Sequence, residues 1–271
     1  MSSTNAPTST KELRLRVFAG PNGSGKSTVI ENIRKYRVKK QPLDFGYYIN
    51  ADDIVVLLKK SGIDFSTYDI LVTPGEFAEI SLASGLINID FTEEQFRNSF
   101  SLRKNIIRLK DQEMADRLGQ IISDFLRKKL LAEKRKFSFE TVFSHSSKLD
   151  IMQQAVELGY KVYLYFVSTE DPEINKFRVA ARKMKGGHDV PPEKIESRYY
   201  RSLNLLYDAS QICYQAFFFD NSVEGVDSKM FAHFKKVKGK KHWDKINSDD
   251  VPNWFLQYYS EKVKLKKSKK K

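Results

Sequence analysis

The chain has 271 residues, 41% hydrophobic and 30% charged, with one cysteine and a formal net charge of +13. That composition supports a buried core and excludes the fibrous and fully disordered classes. Cys213 alone excludes an internal disulfide framework and a cysteine-built zinc site, and it fits a reducing compartment, so the cytoplasm is the expected location.

No stretch approaches the roughly 20 apolar residues of a membrane span. The Ser/Thr/Pro-rich first ten residues lack an apolar h-region and do not read as a signal peptide, so residues 1–11 are expected to be a disordered leader. The first strand alternates Leu13, Leu15 and Val17 with Arg14, Arg16 and Phe18 and runs into Gly20. A helix is predicted over 26–37, a short strand over 45–49, and a helix over 53–60. Residues 61–103 mix Gly, Ser, Thr and aromatics and read as an insertion with a helix near 74–83. A long helix is predicted over 106–134, because Leu118, Ile121, Ile122, Phe125, Leu126 and Leu130 recur at intervals of three and four. Then follow a strand over 137–141, a helix over 147–158 closed by Gly159, and a strand over 160–167. Pro172 opens a helix that breaks at Gly186-Gly187, another helix runs from about 192 to 210, and a last strand covers 214–219. Alternating strands and helices predict an α/β fold, a parallel sheet with helices on both faces.

The positive charge is unevenly placed. Residues 235–271 carry 13 lysines against four acids, whereas the first 234 residues balance to +4. A bound polyanion would explain such an end. A solvated, solubilising end explains it too and is the favoured reading, which makes nucleic acid the less favoured partner.

Residues Gly20, Pro21, Asn22, Gly23, Ser24, Gly25, Lys26 and Ser27 fit G-x-x-x-x-G-K-[ST] between a predicted strand and a predicted helix. Glycines let backbone N–H groups wrap a phosphate, Lys26 supplies a point charge to the outer phosphates, and the Ser27 hydroxyl joins a Mg²⁺ shell. The helix N-terminus adds its dipole. The pattern points to ATP and Mg²⁺. Asn50-Ala51-Asp52-Asp53 closes the second strand, at the edge where open α/β sheets bind ligands. There Asp52 can accept a proton from an attacking hydroxyl, while Asp52 or Asp53 can also N-cap the next helix. Glu140 and Thr141 end another short strand, where they are either beside the phosphate loop or simply solvated. Arg178, Arg182, Arg198 and Arg201 flank a glycine hinge and suggest a closing lid over 178–201, since guanidinium forks match phosphate oxygens. His188 and His145 lack partners at ligand spacing and are not read as metal ligands.

In this order, Gly20 to Thr28, Ile49-Asn50-Ala51-Asp52, Phe139-Glu140-Thr141, Arg178 to Arg182, Gly186 to Pro191, Arg198 to Leu205 and Asp220-Asn221-Ser222 resemble the zeta toxin family of P-loop kinases over most of residues 13–222. The resemblance implies a P-loop kinase domain over 12–225 with a helical insertion (61–103) and a helical lid, followed by a basic extension over 226–271. It implies transfer of the ATP γ-phosphate to the 3′-hydroxyl of the sugar in UDP-N-acetylglucosamine. Asp52 matches the family's catalytic base, Lys26 its phosphate-loop lysine, and Glu140 and Thr141 its substrate-binding pair. Asn50 and Arg198 join the candidate substrate contacts, and Arg178 and Arg182 fall in the arginine-bearing lid. An antitoxin protein is a candidate partner, although no antitoxin segment is visible in the chain. Two alternatives stay open: another acceptor, such as a dinucleotide or a different nucleotide sugar, or a polynucleotide kinase that uses the basic end as a grip.

Overall fold

The computed structural model describes residues 12–38, 40–186 and 190–268, so the expected leader and Gly187, His188 and Asp189 at the hinge lie outside the described residues. In chain order come β1 (Arg14–Ala19), α1 (Lys26–Lys35), the paired β2 (Arg37–Val38) and β3 (Gln41–Pro42), β4 (Tyr47–Ile49), α2 (Ala51–Lys60) and β5 (Ile63–Asp64). Next are α3 (Pro74–Leu82), α4 (Glu93–Asn98), β6 (Phe100–Arg103), β7 (Ile106–Leu109), α5 (Ala115–Ala132), β8 (Phe137–Thr141), α6 (Ser147–Glu157) and β9 (Lys161–Ser168). The chain then forms α7 (Pro172–Met184), α8 (Pro192–Ile212), β10 (Gln215–Asp220), β11 (Lys229–Val237), β12 (Lys240–Trp243), α9 (Asn253–Phe255) and α10 (Glu261–Ser268). No helix among the described residues is long and apolar enough to cross a membrane.

The central sheet has the order β12-β11-β10-β9-β1-β8-β4. The five strands from β10 to β4 are parallel, and β11 and β12 are antiparallel additions. The chain leaves β1 towards β4 on one side, and leaves β9 towards β10 on the other. The switch point between β1 and β9 opens the crevice where open α/β sheets bind ligands. One face of the sheet, with Leu15, Val17, Phe139 and Leu164, packs on Leu118, Ile122 and Leu126 of α5, Met152 of α6 and Leu203 and Leu206 of α8. On the opposite face, Phe18 and Tyr165 pack against Ile30 and Ile33 of α1.

The predicted helix over 106–134 begins only at Ala115. Residues 106–109 form β7, the middle strand of a small sheet β5-β7-β6. The two-residue turn Lys104-Asn105 has φ of 50° and 63°, the left-handed geometry that suits a tight hairpin. The Asn105 amide fixes that turn, donating to Ile70 O at 2.9 Å and accepting from Val72 N at 2.9 Å. The 61–103 segment is not set apart from the core, because the rings of Phe65 and Phe77 pack at an angle against Phe125 of α5, with centroids 5.6 and 5.0 Å away.

The basic end also differs from a solvated tail. Phe231 and Phe234 of β11, Trp254, Phe255 and Tyr259 are all buried and belong to the main core. Many of the described lysines are exposed, while these apolar side chains face inwards. The short, lysine-rich β12 forms the edge of the sheet, where charge discourages further strand pairing.

Candidate functional site

The phosphate loop leaves the buried end of β1 and feeds α1, whose N-cap is Gly25 at φ 90°. A side chain there would strain the backbone and displace the Asn221 amide, whose Nδ2 would stand 2.1 Å from the added Cβ. At Gly23 (φ 74°) a Cβ would meet Asn175 O at 2.6 Å. These close approaches mark two asparagine clamps. Asn221 Nδ2 donates to Ser24 O at 2.9 Å, and Asn175 Nδ2 donates to Asn22 O at 2.5 Å. Asn175 is fully buried and is itself held by the Thr169 hydroxyl.

Lys26 is buried, and its Nζ donates to Pro21 O at 2.9 Å and lies 3.9 Å from Glu140 Oε1. Burial pulls its pKa down, Glu140 and Asp52 work against that, and Arg182 adds to it. Lys26, Glu140, Asp52 and Arg182, from four separate elements, therefore share one electrostatic site.

Register explains how Glu140 arrives there. It pairs with Phe18 at the end of β1, and the neighbouring Phe139 pairs with Ile49 at the end of β4. Glu140 accepts from Tyr48 OH at 3.1 Å, Asn50 Nδ2 at 3.1 Å and Ser27 Oγ at 3.5 Å. Burial, and next Glu140, hold the Tyr48 phenol well above its usual pKa, so it stays a donor. Thr141 is committed to the backbone, its Oγ1 accepting from Phe143 N at 3.1 Å.

Neither Asp52 nor Asp53 caps α2. Asn50 does, its Oδ1 accepting from Asp52 N at 2.9 Å. The Asp52 carboxylate is exposed in the first turn and makes no hydrogen bond or ion pair among the described residues. Partial burial and the neighbouring Asp52 raise the pKa of Asp53.

The arginines divide. Arg178 donates to Asn221 O and Glu224 Oε2, both at 2.8 Å, so it holds the turn that clamps the loop. Arg182, one turn further along α7, acts on Lys26. Arg198 on α8 is half-buried and makes no hydrogen bond or ion pair among the described residues; burial, then Arg201, lowers its pKa.

The loop suits a phosphate. Ser24 Oγ and Asn22 Oδ1 are buried without a hydrogen-bond partner among the described residues, and the desolvated Lys26 charge faces the same cradle. The exposed Ser27 hydroxyl beside Glu140 supplies two oxygens on one side of the cradle, the donor type that Mg²⁺ prefers.

Sequence reasoning assigned no role to Tyr48, Asn175 or Asn221. A signal existed for Asn175, because Pro172, Asn175 and Val179 form the buried stripe of α7 and a polar residue there needs a partner.

The fold is that of an α/β protein with a mostly parallel sheet, and its glycine-rich loop has the chemistry to suit a phosphate. No protein-family model matches the chain. A protein described as uncharacterized from Haemophilus influenzae (strain ATCC 51907 / DSM 11121 / KW20 / Rd) is 33% identical over 63 residues, 23% of this chain and 45% of that protein. Among solved structures, a chain of the AvrRxo1-ORF1:-ORF2 crystal structure with ATP is similar at TM-score 0.46 and 16% identity, over 88% of this chain and 62% of that one. A chain from the PezAT chromosomal toxin-antitoxin system of Streptococcus pneumoniae is similar at TM-score 0.44 and 13% identity, over 94% of this chain and 82% of that one. The chain thus spans less than two thirds of the H. influenzae relative and of the AvrRxo1 chain. At these scores the likenesses say nothing about individual residues, and the reading of the site rests on its geometry.

Proposed function

We propose that this protein is a kinase that transfers the γ-phosphate of ATP, with Mg²⁺, to a sugar hydroxyl of a nucleotide sugar, UDP-N-acetylglucosamine being the expected acceptor. The observation that carries the reading is the pairing of a phosphate cradle with an unengaged carboxylate: Asp52 favours the charged form of Lys26 yet has no partner of its own among the described residues. A nucleotide clamp alone needs no such acid. The order of motifs that resembles the zeta toxin family agrees with it.

In this reading, residues 20–28 hold the phosphates, and Ser27 and Glu140 would hold the metal, which supplies positive charge to the phosphate oxygens. Asp52 orients the acceptor hydroxyl and takes its proton as the new P–O bond forms and the bond to the β-phosphate oxygen breaks. Arg182 and Lys26 offset charge on the moving group. Removal of one such stabiliser costs about 2.7–4 kcal/mol of barrier. Arg178 is a positioning residue that acts through Asn221. Arg198 remains available to the acceptor, and Glu140 belongs to the phosphate side more than to an acceptor grip. An antitoxin that covers the site is the corresponding partner.

The test is incubation with ATP, Mg²⁺ and a panel of nucleotide sugars and dinucleotides, with phosphorylated products read by mass spectrometry. Phosphorylated UDP-N-acetylglucosamine, lost in Asp52→Asn while ATP binding persists, is the expected result. Product from a different acceptor alone replaces the substrate, and unchanged turnover in Asp52→Asn removes the residue from the mechanism.

A further inference from the structure

An open pocket lies far along the chain from the phosphate loop, between the end of α8, β12 and the α9–α10 segment. Its volume is about 680 Å³, within the range of small-molecule sites. Tyr207, Trp243, Ile246, Phe255, Tyr259 and Val263 form much of its wall, and Lys241 reaches into it. Lys241 Nζ donates to Tyr259 OH at 3.0 Å and Ser210 Oγ at 3.1 Å and lies 4.6 Å from the Phe234 ring centroid. Those two bonds use two of its three N–H donors.

No carboxylate among the described residues pairs with Lys241 or with its neighbour Lys236, whose ammonium donates to Gln211 O. Burial, and next Lys236, bring the Lys241 pKa down to about 8. A sunken ammonium normally has an anion beside it, because taking an unpaired charge out of water is costly. Here the fold supplies hydroxyls and ring faces but no anion among the described residues, and Lys241 lines the pocket. Lys264, at the rim, is already engaged with Glu261 at 2.7 Å.

We propose that this cavity binds a small organic anion, a carboxylate carried on an apolar body, with Lys241 as the charge partner and the aromatic wall as the seat for the body. The apolar part is recognised by burial against Trp243, Phe255 and Val263, and the carboxylate by a charge-assisted hydrogen bond to Lys241 Nζ. The site is independent of the proposed kinase reaction.

Isothermal titration of the full chain with octanoate and with octan-1-ol tests this. The expected result is saturable octanoate binding at least tenfold tighter than that of octan-1-ol, unaffected by saturating ATP. Lys241→Met should abolish that tenfold preference without weakening octan-1-ol, and Lys241→Arg should keep it. Absence of saturable octanoate binding, equal affinity for acid and alcohol in the wild-type chain, or displacement by ATP overturns the proposal. The wild-type comparison stands even where a variant fails to fold.

Discussion

Replacement of Trp254 by Ala measures whether the lysine-rich end is structural. The indole is 2% exposed and meets the rings of Phe166, Phe231 and Phe255 at 5.9, 5.5 and 5.9 Å. Its Nε1–H donates to Asp220 Oδ1 at 2.9 Å, and the backbone N–H groups of Asn253 and Trp254 bond the Glu170 carboxylate. Truncation of a buried aromatic costs about 3–5 kcal/mol. The lost bond to a carboxylate adds about 1.5 kcal/mol, partly offset because Asp220 keeps the Ser222 hydroxyl at 2.8 Å. Trp254→Ala should therefore lower stability by about 4–6 kcal/mol. Trp254→Phe, which keeps most of the packing, should cost about 1–2 kcal/mol. Equilibrium urea unfolding followed by circular dichroism gives both values. A loss under about 1 kcal/mol in the Ala variant, the size of an ordinary surface change, would refute the packed reading.

Asn221→Ala removes the clamp on Ser24 O but leaves the Asn221 carbonyl to Arg178; ATP affinity should fall about tenfold, one hydrogen bond's worth, by calorimetry, with a fold-stability change small by comparison. Glu140→Gln should lower phosphoryl transfer more than ATP binding, because it keeps the shape but loses the charge beside Ser27; equal loss of both would make Glu140 a binding residue only. Lys148 has its pKa lowered to about 8 by burial and then by Arg127. A folded-state pKa below the unfolded value means the unfolded chain binds more protons, so stability rises with pH above 8. Lys148 should contribute a rise of about 1 kcal/mol between pH 8 and 9 that Lys148→Met lacks, measured by urea unfolding at each pH.

The parts of the candidate site set by local chain chemistry are the ones visible in the sequence. Glycine spacing made the loop visible, and the strand ends made Asp52 and Glu140 visible, since a parallel sheet must deliver such residues to one edge. What stayed hidden depends on pairing across the chain. Ile106, Ile107 and Leu109 fit a helical stripe as well as a strand, and only the partner β5 and the Lys104-Asn105 turn decide between them. Phe231, Phe234, Trp254 and Tyr259 were outweighed by surrounding lysines, whose charge says nothing about the inward side of the same segment. Which asparagine grips which carbonyl likewise follows from α7 and β10 meeting the loop, a contact no spacing announces.

Asn50 ties two neighbourhoods together with one amide. Its oxygen starts α2 and its nitrogen reaches Glu140, so oxygen and nitrogen have separate duties. Hydrolysis of that amide to an acid would preserve the helix start and set two anions against each other beside Ser27. Aspartate, among the most favourable of residues for beginning a helix, is thereby the wrong choice at this one, since it would set an anion beside Glu140 while leaving the start of α2 intact.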